Sequence, residues 1–220
     1  MKTKVAVIFG GKSTEHEISI ISAVQAMNNM DEDKYEIIPL YLTKDNAFYT
    51  GEALRKMDNF RNIKTLLPKC QRVILVNEEF KNYVVRYPSK LFGKNVISEI
   101  DVALPVVHGT NVEDGTLQGY LKTLNIPFAG CDVFASGLGM DKYAMKIMLK
   151  EAGFPVLDCC RFNAHDFQEP ENVVATTEKK FAYPVIVKPV NLGSSIGISR
   201  ADNREGLDKA LETAFAFADK

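Results

Sequence analysis

The feature that most limits the fold lies at the start of the chain. Residues 5–9 read Val-Ala-Val-Ile-Phe, an unbroken apolar run rich in β-branched side chains, and Gly10-Gly11 ends it abruptly. Such a run presents no polar face to water, so it predicts a strand covered on both sides, the pattern of a parallel sheet. Behind the glycines, Thr14-Glu15-His16-Glu17 reads as a capping box, with Thr14 at the N-cap and Glu17 reaching back, and Ile18, Ile21 and Val24 recur at helical spacing. Strand, glycine turn and helix in that order open an α/β sheet, and parallel neighbours are expected at residues 35–42 and 101–107. Between these, residues 72–76 and 83–87 read as an inserted hairpin about the polar stretch 77–82, with no chemistry assigned to it.

Leu117, Leu121 and Leu124 set a helical spacing over residues 114–124, and a short closing strand is expected at 126–130. A junction within 136–139 divides the chain into a Rossmann-like domain at 1–138 and a smaller unit at 139–220. In the second unit a helix runs from Asp141 to Ala152 with Gly153 just past its end, followed by a strand, a helix within 171–180 and a strand at 184–188. A further strand is expected at 196–199, and a last helix over 204–218 carries Leu207, Ala210, Leu211 and Ala214 on one face.

Charge narrows the partners. Lys+Arg 27 against Asp+Glu 28 leaves a formal net charge of −1, with no basic excess for a nucleic-acid backbone or an anionic membrane, so a small-molecule substrate fits better. No apolar run approaches the roughly 20 residues of a membrane span, and the first one stops at Phe9 without a small-residue cleavage pattern, which points to the cytoplasm. Cys70, Cys131, Cys159 and Cys160 lack zinc-ligand spacing and are expected to be buried thiols. His16, His108 and His165 are scattered, and only His108, at a strand end, stands in a suggestive context.

Three places could carry chemistry. Gly10-Gly11-Lys12-Ser13 resembles the end of a phosphate loop, but the first glycine of that motif would fall on Ala6 inside the strand, and the dinucleotide G-x-G-x-x-G is also missing. What remains is a turn that lets a ligand approach the backbone at the carboxyl edge of the sheet, with Glu15 beside it, although Glu15 and Glu17 also suit simple capping of a helix. His108-Gly109 ends the third run in the same manner and Glu113-Asp114-Gly115 opens the next helix; a histidine bonded to a neighbouring loop is an equally fair reading of His108. The third place is 187–197, where Lys188 ends a buried strand and Gly193-Ser194-Ser195-Ile196-Gly197 supplies backbone N–H groups and hydroxyls suited to phosphate oxygens. Lys142 could approach the same anion or lie solvated on its helix.

Taken in order, Gly10-Gly11-x-Ser13-x-Glu15-x-Glu17-x-Ser19, His108-Gly109 with Glu113-Asp114-Gly115-x-x-Gln118-Gly119, Met140-Asp141-Lys142, and Lys188-Pro189 with Gly193-Ser194-Ser195-x-Gly197 resemble the D-alanine–D-alanine ligase family of ATP-grasp enzymes, over both expected domains. The resemblance implies a Rossmann-like domain followed by the first α+β subdomain of an ATP-grasp fold. It implies that ATP phosphorylates the carboxylate of one D-alanine and that the amine of a second attacks the acyl phosphate, for peptidoglycan synthesis. On it, Glu15 anchors the first D-alanine's ammonium, Ser194 holds Glu15 and a closing loop in place, and His108 lies near the reacting carboxylate. Lys142, Lys188 and Ser195 contact ATP phosphates. A homodimer through the first domain and magnesium are implied as well. No metal ligand is assigned among these residues, because Lys220 precedes the family's acidic and asparagine ligands; a chain of this extent is expected to fold but not to form D-alanyl-D-alanine. Val112 departs from a position where the family commonly has glycine. D-alanine–D-lactate and D-alanine–D-serine ligases share these motifs, a non-catalytic nucleotide-binding module is the alternative of another class, and a nicotinamide oxidoreductase is disfavoured by the missing glycines.

Overall fold

The computed structural model describes residues 1–219, and the chain separates into two compact units, Met1–Ser136 and Gly137–Lys220. In the first unit, β1 (Thr3–Gly10) leads into α1 (His16–Asn29) and β2 (Tyr35–Leu42). β3 (Phe48–Thr50), α2 (Ile63–Leu66), β4 (Gln71–Glu78), β5 (Lys81–Arg86), β6 (Val96–Ile100) and β7 (Val102–Pro105) follow, then α3 (Thr116–Thr123) and the start of α4 (Val133–Met140). Among the described residues these strands form one sheet in the order β6-β5-β4-β3-β2-β1-β7. β1 lies between β2 and β7 and is parallel to both, as its unbroken apolar run requires. The expected hairpin is present, with a tighter turn at Glu79-Phe80, but it is not a separate insertion: β3 joins it to β2 and the sheet continues antiparallel to β6. The expected closing strand at 126–130 shortens to a single bridge between Ala103 and Phe128.

The first and last strands of that order are consecutive in the chain. β6 ends at Ile100 and β7 begins at Val102, and the intervening Asp101 turns the chain from one edge of the sheet to the other. Its carboxylate accepts the Lys4 N–H at 2.7 Å, and its own N–H donates to Lys4 O at 3.0 Å.

Alternation along β1 divides its side chains between two cores. Ala6 and Ile8 join Leu40, Leu117 and Leu121 on one face, while Val5, Val7 and Phe9 pack with Ile20, Ala23, Val24 and Met27 of α1 on the other. The buried stripe of α1 is therefore His16, Ser19, Ile20, Ala23, Val24 and Met27. Of the expected stripe only Val24 is in it, since Ile18 and Ile21 are 51% and 42% exposed. The capping box is also absent: Glu15 occupies the N-cap position without a side-chain cap, its N–H donates to Ser13 Oγ at 3.0 Å, and Glu17 instead accepts from Lys44 at 2.7 Å. Lys44 holds the Glu17 carboxyl below the usual carboxylate range.

The second unit contains the rest of α4, α5 (Lys142–Glu151), α6 (Pro170–Lys180), β8 (Val185–Val187), β9 (Ser199–Ala201) and α7 (Arg204–Phe217). β8 and β9 pair antiparallel, and Val173, Val174, Ala201, Leu207, Ala210 and Leu211 form its core. Among the described residues no strand lies between Gly153 and α6, and the strand expected at 196–199 begins only at Ser199. Residues 193–198 are taken up by two tight turns instead, closed by Ile196 N–H to Gly193 O and Ile198 N–H to Ser195 O. The cysteines are less enclosed than expected: Cys131 is exposed and the other three are partly buried, with all four as free thiols.

The burial of α1 makes a direct forecast. Ile20→Ala should cost about 2–5 kcal/mol by removing core volume, whereas Ile18→Ala should stay within about 0.5 kcal/mol. Urea unfolding of the two variants beside the parent chain measures the difference, and equal losses would show that α1 faces the sheet by another stripe.

Candidate functional site

In the first unit the site is built where β1 and β7 end side by side. Gly10 ends β1 and Gly11 follows it because the chain must turn with little space: the two have φ of +91° and +93°, and a methyl on Gly10 would lie 2.3 Å from Leu42 O. The polar groups of this turn are satisfied from outside it. Gly10 N–H donates to Ser19 Oγ at 2.8 Å, Gly11 N–H donates to Leu42 O at 2.7 Å, and Ser19 Oγ–H donates to Val106 O at 2.6 Å. One hydroxyl of α1 thus ties together the ends of β1 and β7.

Beyond β7, His108 is partly buried with Nε2 3.1 Å from Ser22 Oγ of α1. Gly109 then passes close to the first turn. A methyl there would lie 2.3 Å from Ser13 Oγ and 2.8 Å from Glu15 Oε2, so the Glu15 carboxylate is seated against the backbone that follows His108. The structure therefore brings Glu15 and the His108 strand end together. The acidic residues after His108 hold the loop: Gly109 N–H donates to Glu113 Oε2 at 2.8 Å, and Asn111 N–H donates to Asp114 Oδ2 at 2.7 Å. Asn111 Nδ2 reaches across to Lys12 O at 2.9 Å. Val112 is buried, and a methyl on Gly11 would fall 2.4 Å from its Cγ1, so its side chain fills the space over the glycine turn.

His16 lacks the strand-end context that singles out His108 in the sequence, and histidine spacing points to no metal site. It is 2% exposed, with Nδ1 2.6 Å from Gly11 O and Nε2 2.9 Å from Tyr41 Oη. The available signal was its place between two glutamates directly behind the glycine turn. Burial, with Glu17 adding to it, pushes the Tyr41 hydroxyl up to about 12.

The second unit holds the other expected residues. Asp141 caps α5, accepting from Tyr143 N–H at 3.1 Å and Ala144 N–H at 2.9 Å, which sets Lys142 in the first turn. Lys142 N–H donates to Val190 O at 3.0 Å, and its ammonium donates to Val190 O and Leu192 O, so Lys142 is stitched to the segment beyond β8. Lys188 directly follows β8 and is exposed, as are Ser194 and Ser195. Ser194 and Ser195 have φ of +48° and +60°, within the tight turns of residues 193–198; such turns can aim successive N–H groups at an anion. Lys142, Lys188, Arg161, Phe162, Ile186 and Leu211 are among the residues lining a cavity of about 640 Å³ within this unit, which combines apolar walls with cationic groups. Among the described residues no three His, Cys, Asp or Glu side chains form a group able to hold a metal, and no helix is long and apolar enough to cross a membrane.

Raising the Tyr41 hydroxyl has a definite consequence for alkaline stability. The folded chain keeps this proton more tightly than the unfolded chain, so the contribution is complete below pH 10.0 and is lost as pH rises towards about 12. Tyr41→Phe should flatten that part of the stability profile, and absorbance titration of the phenols should show one late tyrosine that the variant lacks. A phenolate population titrating wholly near its ordinary value in the parent would contradict the burial of Tyr41.

Comparison with known proteins points to one family over most of the chain. The family model "D-ala D-ala ligase N-terminus" matches residues 4–131 and "D-ala D-ala ligase C-terminus" matches 148–220. A D-alanine–D-alanine ligase of Chloroherpeton thalassium is 42% identical over 98% of this chain and 59% of its own length, and one of Clostridium novyi is 40% identical over 99% and 59%. Among solved structures, D-alanine–D-alanine ligase from Helicobacter pylori has a TM-score of 0.82 at 31% identity, covering 99% of this chain and 64% of its own. VanG D-Ala:D-Ser ligase from Enterococcus faecalis has a TM-score of 0.79 at 32% identity, covering 100% and 61%. The chain thus spans about three fifths of the length of the relatives it matches.

Proposed function

The chain belongs to the D-alanine–D-alanine ligase family, and from that membership we propose that it provides the first-substrate anchor and one wall of the nucleotide site of an ATP-dependent carboxylate–amine ligase. The observation that carries this reading is the Glu15 carboxylate seated against Gly109, where the ends of β1 and β7 meet. A fixed carboxylate at the carboxyl edge of an open α/β sheet suits the ammonium of an amino acid. Glu15 pairs with the ammonium of the first D-alanine, which leaves that substrate's carboxylate directed towards His108.

In the reaction, a carboxylate oxygen of the first D-alanine attacks the γ-phosphorus of ATP, the bond to ADP breaks, and an acyl phosphate forms. The amine of the second D-alanine then attacks the acyl carbon, releasing inorganic phosphate and a proton and leaving the dipeptide for peptidoglycan synthesis. Lys142 and Lys188 neutralise phosphate charge, and the Ser195 amide and hydroxyl donate to phosphate oxygens, the electrostatic work that phosphoryl transfer chiefly demands. Ser194 steadies the closing loop of the nucleotide site. Magnesium is the metal that this reading implies, and it would supply positive charge to the phosphates when bound. The working form is a cytoplasmic homodimer associating through the first domain. A D-Ala:D-Ser ligase among the structural relatives keeps D-serine as a second reading for the incoming amine, which dipeptide analysis with competing D-amino acids would separate.

In the ligase, Glu15→Gln should raise the KM for the first D-alanine at least about tenfold with little change for ATP, because a charge-assisted contact contributes about 1.5–3 kcal/mol. Steady-state rates with each substrate varied measure this, and an unchanged first-site KM would return Glu15 to helix capping. Lys188→Ala should weaken ATP by a similar factor and leave D-alanine nearly unaffected. Nucleotide titration at wild-type affinity would remove Lys188 from the phosphate site.

A further inference from the structure

His16 stands next to Glu15 in sequence and points the opposite way, into the core. A carbonyl oxygen can only accept, so the 2.6 Å contact with Gly11 O places the proton of a neutral imidazole on Nδ1. Nε2 is then an acceptor, and it takes the Tyr41 hydroxyl proton at 2.9 Å. Tyr41 is itself fixed: it is 2% exposed, packs against Phe9 and Phe60 with ring centroids 5.6 and 5.4 Å away, and meets the imidazole edge-on at 5.5 Å. Among the described residues its hydroxyl finds its partner in His16.

This chain of contacts ends at the glycine turn. Ser19 and Leu42 hold the N–H groups of Gly10 and Gly11, and His16 holds the Gly11 carbonyl. The imidazole also fills the space beside Gly10, where a methyl would come 3.1 Å from its Cε1. Glu15 is one peptide away, with its N–H on Ser13 Oγ. The start of α1 is thus fastened to the end of β1 on both sides of Glu15.

We propose that His16, fixed as its Nδ1–H tautomer by the Tyr41 hydroxyl, is the positioning residue that aims Glu15 at the ammonium of the first substrate. The functional part rests on the reading of Glu15 given above. His16 itself touches neither substrate nor nucleotide; it sets the backbone from which the anchoring carboxylate projects. Asparagine can replace the part of the ring that matters, since its side-chain amide donates from near the Nδ1 position, whereas alanine leaves the Gly11 carbonyl with the Ser13 N–H alone, at 3.0 Å.

Two measurements decide it. Long-range ¹H–¹⁵N correlation spectra of the purified chain should show His16 with Nδ1 protonated and Nε2 as acceptor, and Tyr41→Phe should perturb that signal; the opposite tautomer overturns the proposal. In the ligase, His16→Ala should raise the KM for the first D-alanine about tenfold while the KM for ATP stays within about twofold, and His16→Asn should recover most of the loss. A loss shared equally by ATP, or a lower melting temperature with the D-alanine KM unchanged, would make His16 merely structural and overturn the proposal. Glu15→Gln is run alongside. If it raises the first-site KM and His16→Ala does not, this proposal falls and the Glu15 anchor stands; if Glu15→Gln is silent, the anchor falls and the role of His16 falls with it.

Discussion

The satisfaction of the backbone where β1 ends is the constraint on which the first unit depends. A strand buried on both faces must release its chain into a turn that is itself enclosed, and enclosed N–H and carbonyl groups without partners are costly. Ser19 answers one N–H and one carbonyl, β2 answers another N–H, and His16 together with the Ser13 N–H answers the second carbonyl. This explains why α1, though it packs on the sheet, buries a serine and a histidine: at its first turns the helix serves as a hydrogen-bonding surface before it becomes an apolar one. The same polar ties bring the end of β7 beside the turn, and the crevice between the two ends is where Glu15 and the His108 loop meet.

This dual duty accounts for what was legible. The strands at 35–42 and around 102–105 could be read because their apolar runs respond to one demand, burial in a parallel sheet. The stripe of α1 was misread because Ile18 and Ile21 look like core residues by period alone, while His16 and Ser19 look like surface residues by type. Pattern reading weighs side chains by polarity and does not count the backbone groups that a helix must satisfy in its neighbours. Thr14 failed as a cap for a related reason: the helix begins later than its capping pattern suggests, and Ser13 Oγ accepts the N–H of Glu15. β3 and β6 are three and five residues long and took their form from pairing with neighbours rather than from any period of their own.

The candidate site residues were found by motif more than by local physics. Glu15, His108, Lys142 and Lys188 each have an ordinary local explanation, and only their joint spacing pointed to one family. The structure adds what spacing could not: which of the flanking residues shape the loops. Glu113 and Asp114 fold the turn after His108, Asp141 sets the first turn of α5, and Val112 occupies the volume over Gly11. A bulky side chain at position 112 is thus accommodated inward, as packing, with the glycine turn opposite it carrying no side chain to conflict.

Asp101 gives the sheet an unusual outline. Because residues 96–105 supply β6 and β7 in succession, the two margins of the seven-stranded sheet are a single stretch of chain, joined at one hydrogen-bonded corner with Lys4. An open sheet ordinarily exposes two rows of unpaired N–H and carbonyl groups to which another polypeptide can add. Here one continuous stretch spends its backbone on β5 and then on β1, and Lys4 and Lys81 both pair with Glu99 beside the corner. Both edges of the sheet therefore come from one short stretch of chain, and the ion pairs of Lys4 and Lys81 with Glu99 set charge beside it, which disfavours the addition of another strand there.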